Sequence, residues 1–61
     1  MKQSTLNTLI SAHRLNRFKS SDIDESERGG IRHLVRAGYV KRDGTEYWVS
    51  KLGEMRIRMG R

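Results

Sequence analysis

Ile31-Arg-His-Leu-Val-Arg-Ala-Gly-Tyr-Val-Lys-Arg-Asp-Gly-Thr-Glu-Tyr-Trp-Val-Ser-Lys-Leu-Gly53 changes its periodicity three times within one short stretch. Ile31, Leu34 and Val35 recur at the spacing of one helix face. Gly38 then stops that helix, because glycine enters the left-handed conformation at little steric cost. Tyr39 to Arg42 and Thr45 to Val49 alternate as strands. Asp43-Gly44 between them is a strong two-residue hairpin signal, reading as a type I′ turn with positive φ at both central residues. That turn places Arg42 opposite Thr45, Lys41 opposite Glu46, Val40 opposite Tyr47, and Tyr39 opposite Trp48. Alternation puts Val40, Tyr47 and Val49 on one face, the expected core side, and Tyr39, Lys41, Glu46 and Trp48 on the other.

Working backwards, Asp24-Glu25-Ser26-Glu27 is rich in capping residues. Asp24 or Ser26 can start the helix, Asp24 with Glu27 fits a capping box, and the acids oppose the positive end of the helix dipole. Gly29-Gly30 is costly inside a helix, about 1 kcal/mol each relative to alanine. Either the helix begins after the pair, or its bareness allows close approach of another backbone or a partner; the second reading is preferred. Ser20-Ser21-Asp22-Ile23-Asp24 reads as a capped turn with Ile23 pointing inward. Before it, Ser4 or Thr5 can cap a first helix running to His13 or Arg14, with Leu6, Leu9, Ile10 and His13 on one face. Leu15 and Phe18 carry apolar content through a basic connector, Arg14 to Lys19. Downstream, Ser50 can cap a short helix containing Leu52, Met55 and Met59. The alternation Met55-Arg56-Ile57-Arg58-Met59 suits a strand equally well.

Composition sets the bounds. Sixty-one residues allow one domain, with a small core and a thin stability margin. The absence of cysteine excludes disulfides and thiolate metal sites, and two histidines, His13 and His33, make a poor zinc site. No metal and no cofactor is therefore expected. No apolar run reaches the length of a membrane span, and Asn7 and Thr8 break the only N-terminal apolar stretch that could resemble a secretory signal, so a cytoplasmic protein is expected. There is no nucleophile–base spacing and no phosphate-binding glycine loop after a strand, and the carboxylates sit where capping explains them. An enzyme is not expected.

Charge is the informative total. Thirteen Lys and Arg against seven Asp and Glu give a formal net charge of +6, with a pI near 10.6. Five of the seven acids fall between residues 22 and 43, and residues 1–20 hold none. Such imbalance favours a polyanionic partner: DNA, RNA or an acidic protein on which the domain would dock.

In its order of elements the chain resembles a winged helix-turn-helix domain, similar to the small prokaryotic regulators of the MarR, ArsR and PadR kinds. The resemblance rests on Leu34, Gly38, Tyr39 and Val40 at the end of the third helix, and on Tyr47, Val49 and Ser50-Lys51-Leu52-Gly53 at the return of the wing. It covers residues 20–53 well and residues 4–18 loosely. Only seven residues separate Ile23 from Ile31, so the second helix or its turn is expected to be abbreviated. The resemblance implies a single α+β domain over residues 1–61 with about three helices, a two-stranded hairpin wing and a short C-terminal element, preferably helical. It implies a monomer or weak homodimer that binds double-stranded DNA as a small transcriptional regulator. The helix over residues 26–37 would enter the major groove, and the wing would touch the backbone or the minor groove.

The residues suit that role. With Ile31, Leu34 and Val35 inward, Arg28, Arg32 and Arg36 align along one flank, where guanidinium forks can grip phosphates or read guanine edges. Ser26 near the helix start can bond a phosphate or a base, as can the free N–H groups there. His33 on the same helix and Lys41 and Arg42 on the wing complete the candidate nucleic-acid contacts. The competing reading is a solvated flank with local ion pairs, Glu25–Arg28 and Lys41–Glu46. Arg14, Arg17 and Lys19 offer a second basic patch, and Arg56, Arg58 and Arg61 a basic tail. Tyr39 and Trp48, if both lie outward, form an aromatic pair able to seat a protein partner or stack on RNA or single-stranded bases. The preferred alternative folds them over a core edge.

Overall fold

The computed structural model describes residues 2–59. It has three helices and a three-stranded antiparallel sheet in the order α1 (Gln3–Leu15), β1 (Phe18–Lys19), a 3₁₀ turn (Ser20–Asp22), α2 (Glu25–Ala37), β2 (Val40–Asp43), β3 (Glu46–Val49) and α3 (Lys51–Met59). The sheet order is β1-β3-β2. This is the expected α+β class, consistent with a small winged-helix arrangement, except that the wing hairpin carries a third strand. The C-terminal segment is helical.

The buried core draws Leu6, Leu9 and Ala12 from α1 and Ile31 and Leu34 from α2, together with Phe18, Ile23 and Val40. Tyr47 and Val49 pack against it from the sheet face that alternation selected. Within α1 the buried side turns further than expected: Thr8 and Ala12 are inside, while His13 is exposed and pairs with Glu54 of α3 at 3.3 Å. Thr8 tolerates burial because its hydroxyl donates to the Ser4 carbonyl at 3.0 Å. The helix also starts earlier than Ser4 or Thr5 would set it; Lys2 occupies the cap position with no side-chain cap bond. Asn16, at φ +63°, ends it.

The connector that read as merely basic contains β1. Phe18 pairs with Tyr47, and their rings stack at 5.5 Å. One turn of 3₁₀ helix then replaces the second long helix, held by the Asp22 carboxylate accepting from the Lys19 backbone N–H at 2.9 Å. Ile23 follows, buried as its position predicts. Helix α2 does begin after Asp24, but Asp24 makes no side-chain cap, so the predicted capping box is not formed. Of the glycine pair, Gly30 faces Thr8 of α1, where a Cβ would sit in ordinary contact at 3.5 Å. Gly29 faces open space.

Gly38 closes α2 as predicted, at φ +88°. The Gly38 N–H donates to Val35 and the Tyr39 N–H to Leu34, the paired bonds of a Schellman stop. The hairpin departs from the predicted register. Val40 faces Val49, Lys41 faces Trp48, Arg42 faces Tyr47, and Asp43 faces Glu46. The turn residues are Gly44-Thr45, and only Gly44 has positive φ, as a type II′ turn requires. Each partner has moved by two residues, so the inward and outward faces survive the slip.

The last helix is fixed by one serine and one glycine. The buried Ser50 hydroxyl donates to the Gly38 carbonyl at 2.6 Å and accepts from the Gly53 N–H at 3.2 Å. The Ser50 N–H donates to the Tyr39 carbonyl at 2.9 Å. Gly53 lies so close to that carbonyl that an added Cβ would collide with it, and would also meet Val49 Cγ1 at 2.6 Å. A Ser-x-x-Gly step is thus the joint between α2, β3 and α3. Ile57 packs against the core from α3, while Leu52, Met55 and Met59 stay exposed. Among the described residues no helix is long and apolar enough to cross a membrane.

Candidate nucleic-acid interface

Packing decides which cations remain available. Ile31 and Leu34 hold α2 against the core, and Val35 sits half-buried at its margin. One flank of the helix therefore faces the hairpin across an open groove. Arg28, Arg32 and Arg36 line the helix wall of that groove; Arg42 and Tyr47 line the hairpin wall. The groove has a volume of about 610 Å³. That is the size of a small-molecule pocket, but such pockets are mostly apolar, and four guanidinium groups suit a polyanion instead.

The four arginines are held differently. Arg28 donates from Nε to the Ser20 carbonyl at 3.1 Å, so the 3₁₀ turn orients it. Arg42 donates from Nε to the Gly44 carbonyl at 2.9 Å, with its guanidinium 5.8 Å from the Tyr47 ring centroid. Both keep their terminal nitrogens for a ligand. Arg32 and Arg36 are exposed and have no hydrogen bond to a side chain among the described residues. None of the four pairs with a carboxylate among the described residues, where the ion pairs are His13–Glu54 and Arg17–Glu46. The alternative pairings Glu25–Arg28 and Lys41–Glu46 are not formed; in the second, the shifted register sets Lys41 against Trp48 and leaves Glu46 to Arg17.

The remaining candidates lie elsewhere. Ser26 borders the cleft between α2 and α1, with Thr5, Thr8 and Glu27. His33 borders a different groove, with Lys2 and Arg56. Lys41 is exposed on the outer face of the hairpin, beside Trp48. Lys19 lies next to Arg42 and the turn at Gly44, a placement that became visible only with β1. Arg17 is engaged internally: its guanidinium lies 4.6 Å over the Trp48 ring and bonds Glu46 at 3.1 Å. Trp48 is accordingly half-buried, while Tyr39 packs against the core and lines another groove, so the two do not form an outward pair. Arg61 lies outside the described residues.

Compared with family models, with curated proteins and with solved structures, the chain matches none.

Proposed function

We propose that the protein binds double-stranded DNA through α2 and the β2–β3 hairpin, in the role of a small transcriptional regulator of winged-helix type. The observation that carries this reading is the convergence of Arg28, Arg32, Arg36 and Arg42 on one groove, where none of them pairs with a carboxylate among the described residues. Four like charges around one groove repel one another, a cost that the single main-chain bonds of Arg28 and Arg42 offset only in part. A phosphodiester backbone relieves it.

The anchoring suggests a division of labour. Arg28 and Arg42, tied by Nε to main-chain carbonyls on opposite walls, act as phosphate clamps that set register. Arg32 and Arg36, free along their length, reach for base edges, where a bidentate arginine–guanine pair discriminates by about 1–3 kcal/mol. The rival in which aromatics dock a protein or stack on single strands draws less support, because Trp48 is capped by Arg17 and stands apart from Tyr39.

The test is a titration of labelled duplex at several salt concentrations, with competition by single-stranded DNA and RNA of equal length. Affinity is expected to fall steeply with salt and to favour duplex DNA. Arg28→Ala and Arg32→Ala are each expected to cost roughly tenfold, about 1.4 kcal/mol of binding free energy. Arg58→Ala, on α3 and outside the groove, is expected to cost little. Equal effects for all three would refute the assignment of α2, and stronger competition by single strands would refute the duplex.

A further inference from the structure

Helix α2 has a second shoulder. On the side away from the four arginines it borders a shallow groove shared with the start of α1 and with α3. Lys2, His33 and Arg56 line that groove, with Gly29 and Gly30 along it. We propose that this groove receives the second phosphodiester strand of the duplex, so that α2 lies between two backbones. The inference rests on the DNA reading above and adds a binding surface to it.

Three observations point the same way. First, two cations from separate elements, Lys2 at α1's cap position and Arg56 of α3, flank the imidazole of His33 on α2, and neither pairs with a carboxylate among the described residues. Second, Gly29 has no internal reason to be glycine: it lies inside a helix, at negative φ, with nothing within 4 Å of a Cβ. Alanine is the better helix former at such a position. A bare surface there admits a ligand's close approach. Third, the dimensions agree. A helix with its side chains is roughly 10–12 Å across, and the major groove is roughly 12 Å wide. A helix seated there has a sugar-phosphate backbone on each side, and cations on both shoulders are what that position demands. Glu27 of α2 borders the neighbouring cleft with α1, which Lys2 also lines.

Arg56 and Arg58 make the test sharp. They stand two residues apart on one helix, but only Arg56 lines the groove. Binding of the full chain to a duplex two helical turns long is measured by fluorescence anisotropy across a salt series. Arg56→Ala is expected to weaken binding roughly three- to tenfold and to flatten the log–log salt slope by about 0.9, the share of a single neutralised phosphate. Arg58→Ala is expected to leave both near the parent values. Because Arg56 is half-buried, Lys2→Ala at an exposed position supplies the same readout if Arg56→Ala melts early. If neither Lys2→Ala nor Arg56→Ala differs from Arg58→Ala while Arg32→Ala still weakens binding, the second groove is overturned and the first stands. If Arg32→Ala is also silent, the DNA reading itself has failed.

Discussion

The joint at Gly38–Gly53 and the outer side of α2 handle their polar groups and glycines in opposite ways. At the joint every hydrogen-bonding group is used: Ser50 gives its hydroxyl to Gly38, takes the Gly53 N–H, and donates its own N–H to Tyr39. Gly53 is there because nothing larger fits. On the outer side of α2, three arginines project without a carboxylate partner among the described residues, and Gly29 stands where an added Cβ meets nothing within 4 Å. The first region is explained entirely by folding. The proposed contact with a duplex would account for the second.

Gly53→Ala gives the contrast its largest effect. The added methyl meets a backbone carbonyl that cannot swing aside, so a destabilisation of about 3 kcal/mol is expected, the upper end for overpacking. A domain of this size has roughly 3–9 kcal/mol in total, so the variant should melt far below the parent by circular dichroism. A parent-like melt would mean that the joint is loose. Ser50→Ala should cost about 1–2 kcal/mol, through removal of a cap and of the hydroxyl's bond to the part-buried Gly38 carbonyl; chemical denaturation measures it, and no change would show that water replaces the hydroxyl. Gly29→Ala should do the reverse and stabilise by up to about 1 kcal/mol. A destabilised Gly29→Ala would reveal an internal role for that glycine and erase the contrast.

What could be read from the chain follows the strength of its local signals. Ile31, Leu34, Gly38 and Val40 announce helix, stop and strand through period and glycine, and each stands where it was expected. The Ser50–Gly53 step also marks its helix, although the collision that demands Gly53 depends on Tyr39 and is a tertiary fact. Strand β1 was not legible, because two residues carry no period; only the pairing with Tyr47 makes Phe18 a strand. The hairpin register failed for a related reason. Asp43-Gly44 and Gly44-Thr45 are both acceptable turns, and Val40 and Val49 share the inner face in either register, so alternation does not choose between them. His13 fell on a plausible apolar face, but α3, arriving from far along the chain, offered Glu54 instead.

The candidate site divides in the same way. Helical spacing alone aligned Arg28, Arg32 and Arg36. That Arg42 closes the same groove depends on how the hairpin lies against α2. Ser26, His33 and Lys41 share elements with those arginines but face other directions, which residue type alone does not reveal. Arg17 shows the converse: a connector cation that looked free is tied to Trp48 and Glu46.

The most direct measurement is a nuclear magnetic resonance titration of the full chain with duplex DNA, following backbone amides and arginine Nε–H signals. Arg28, Arg32, Arg36 and Arg42 are predicted to shift together and saturate at one stoichiometry, while Arg17 and Arg58 stay still. Shifts concentrated on Arg14, Arg17 and Trp48, with the α2 arginines unmoved, would contradict a duplex seated between α2 and the hairpin.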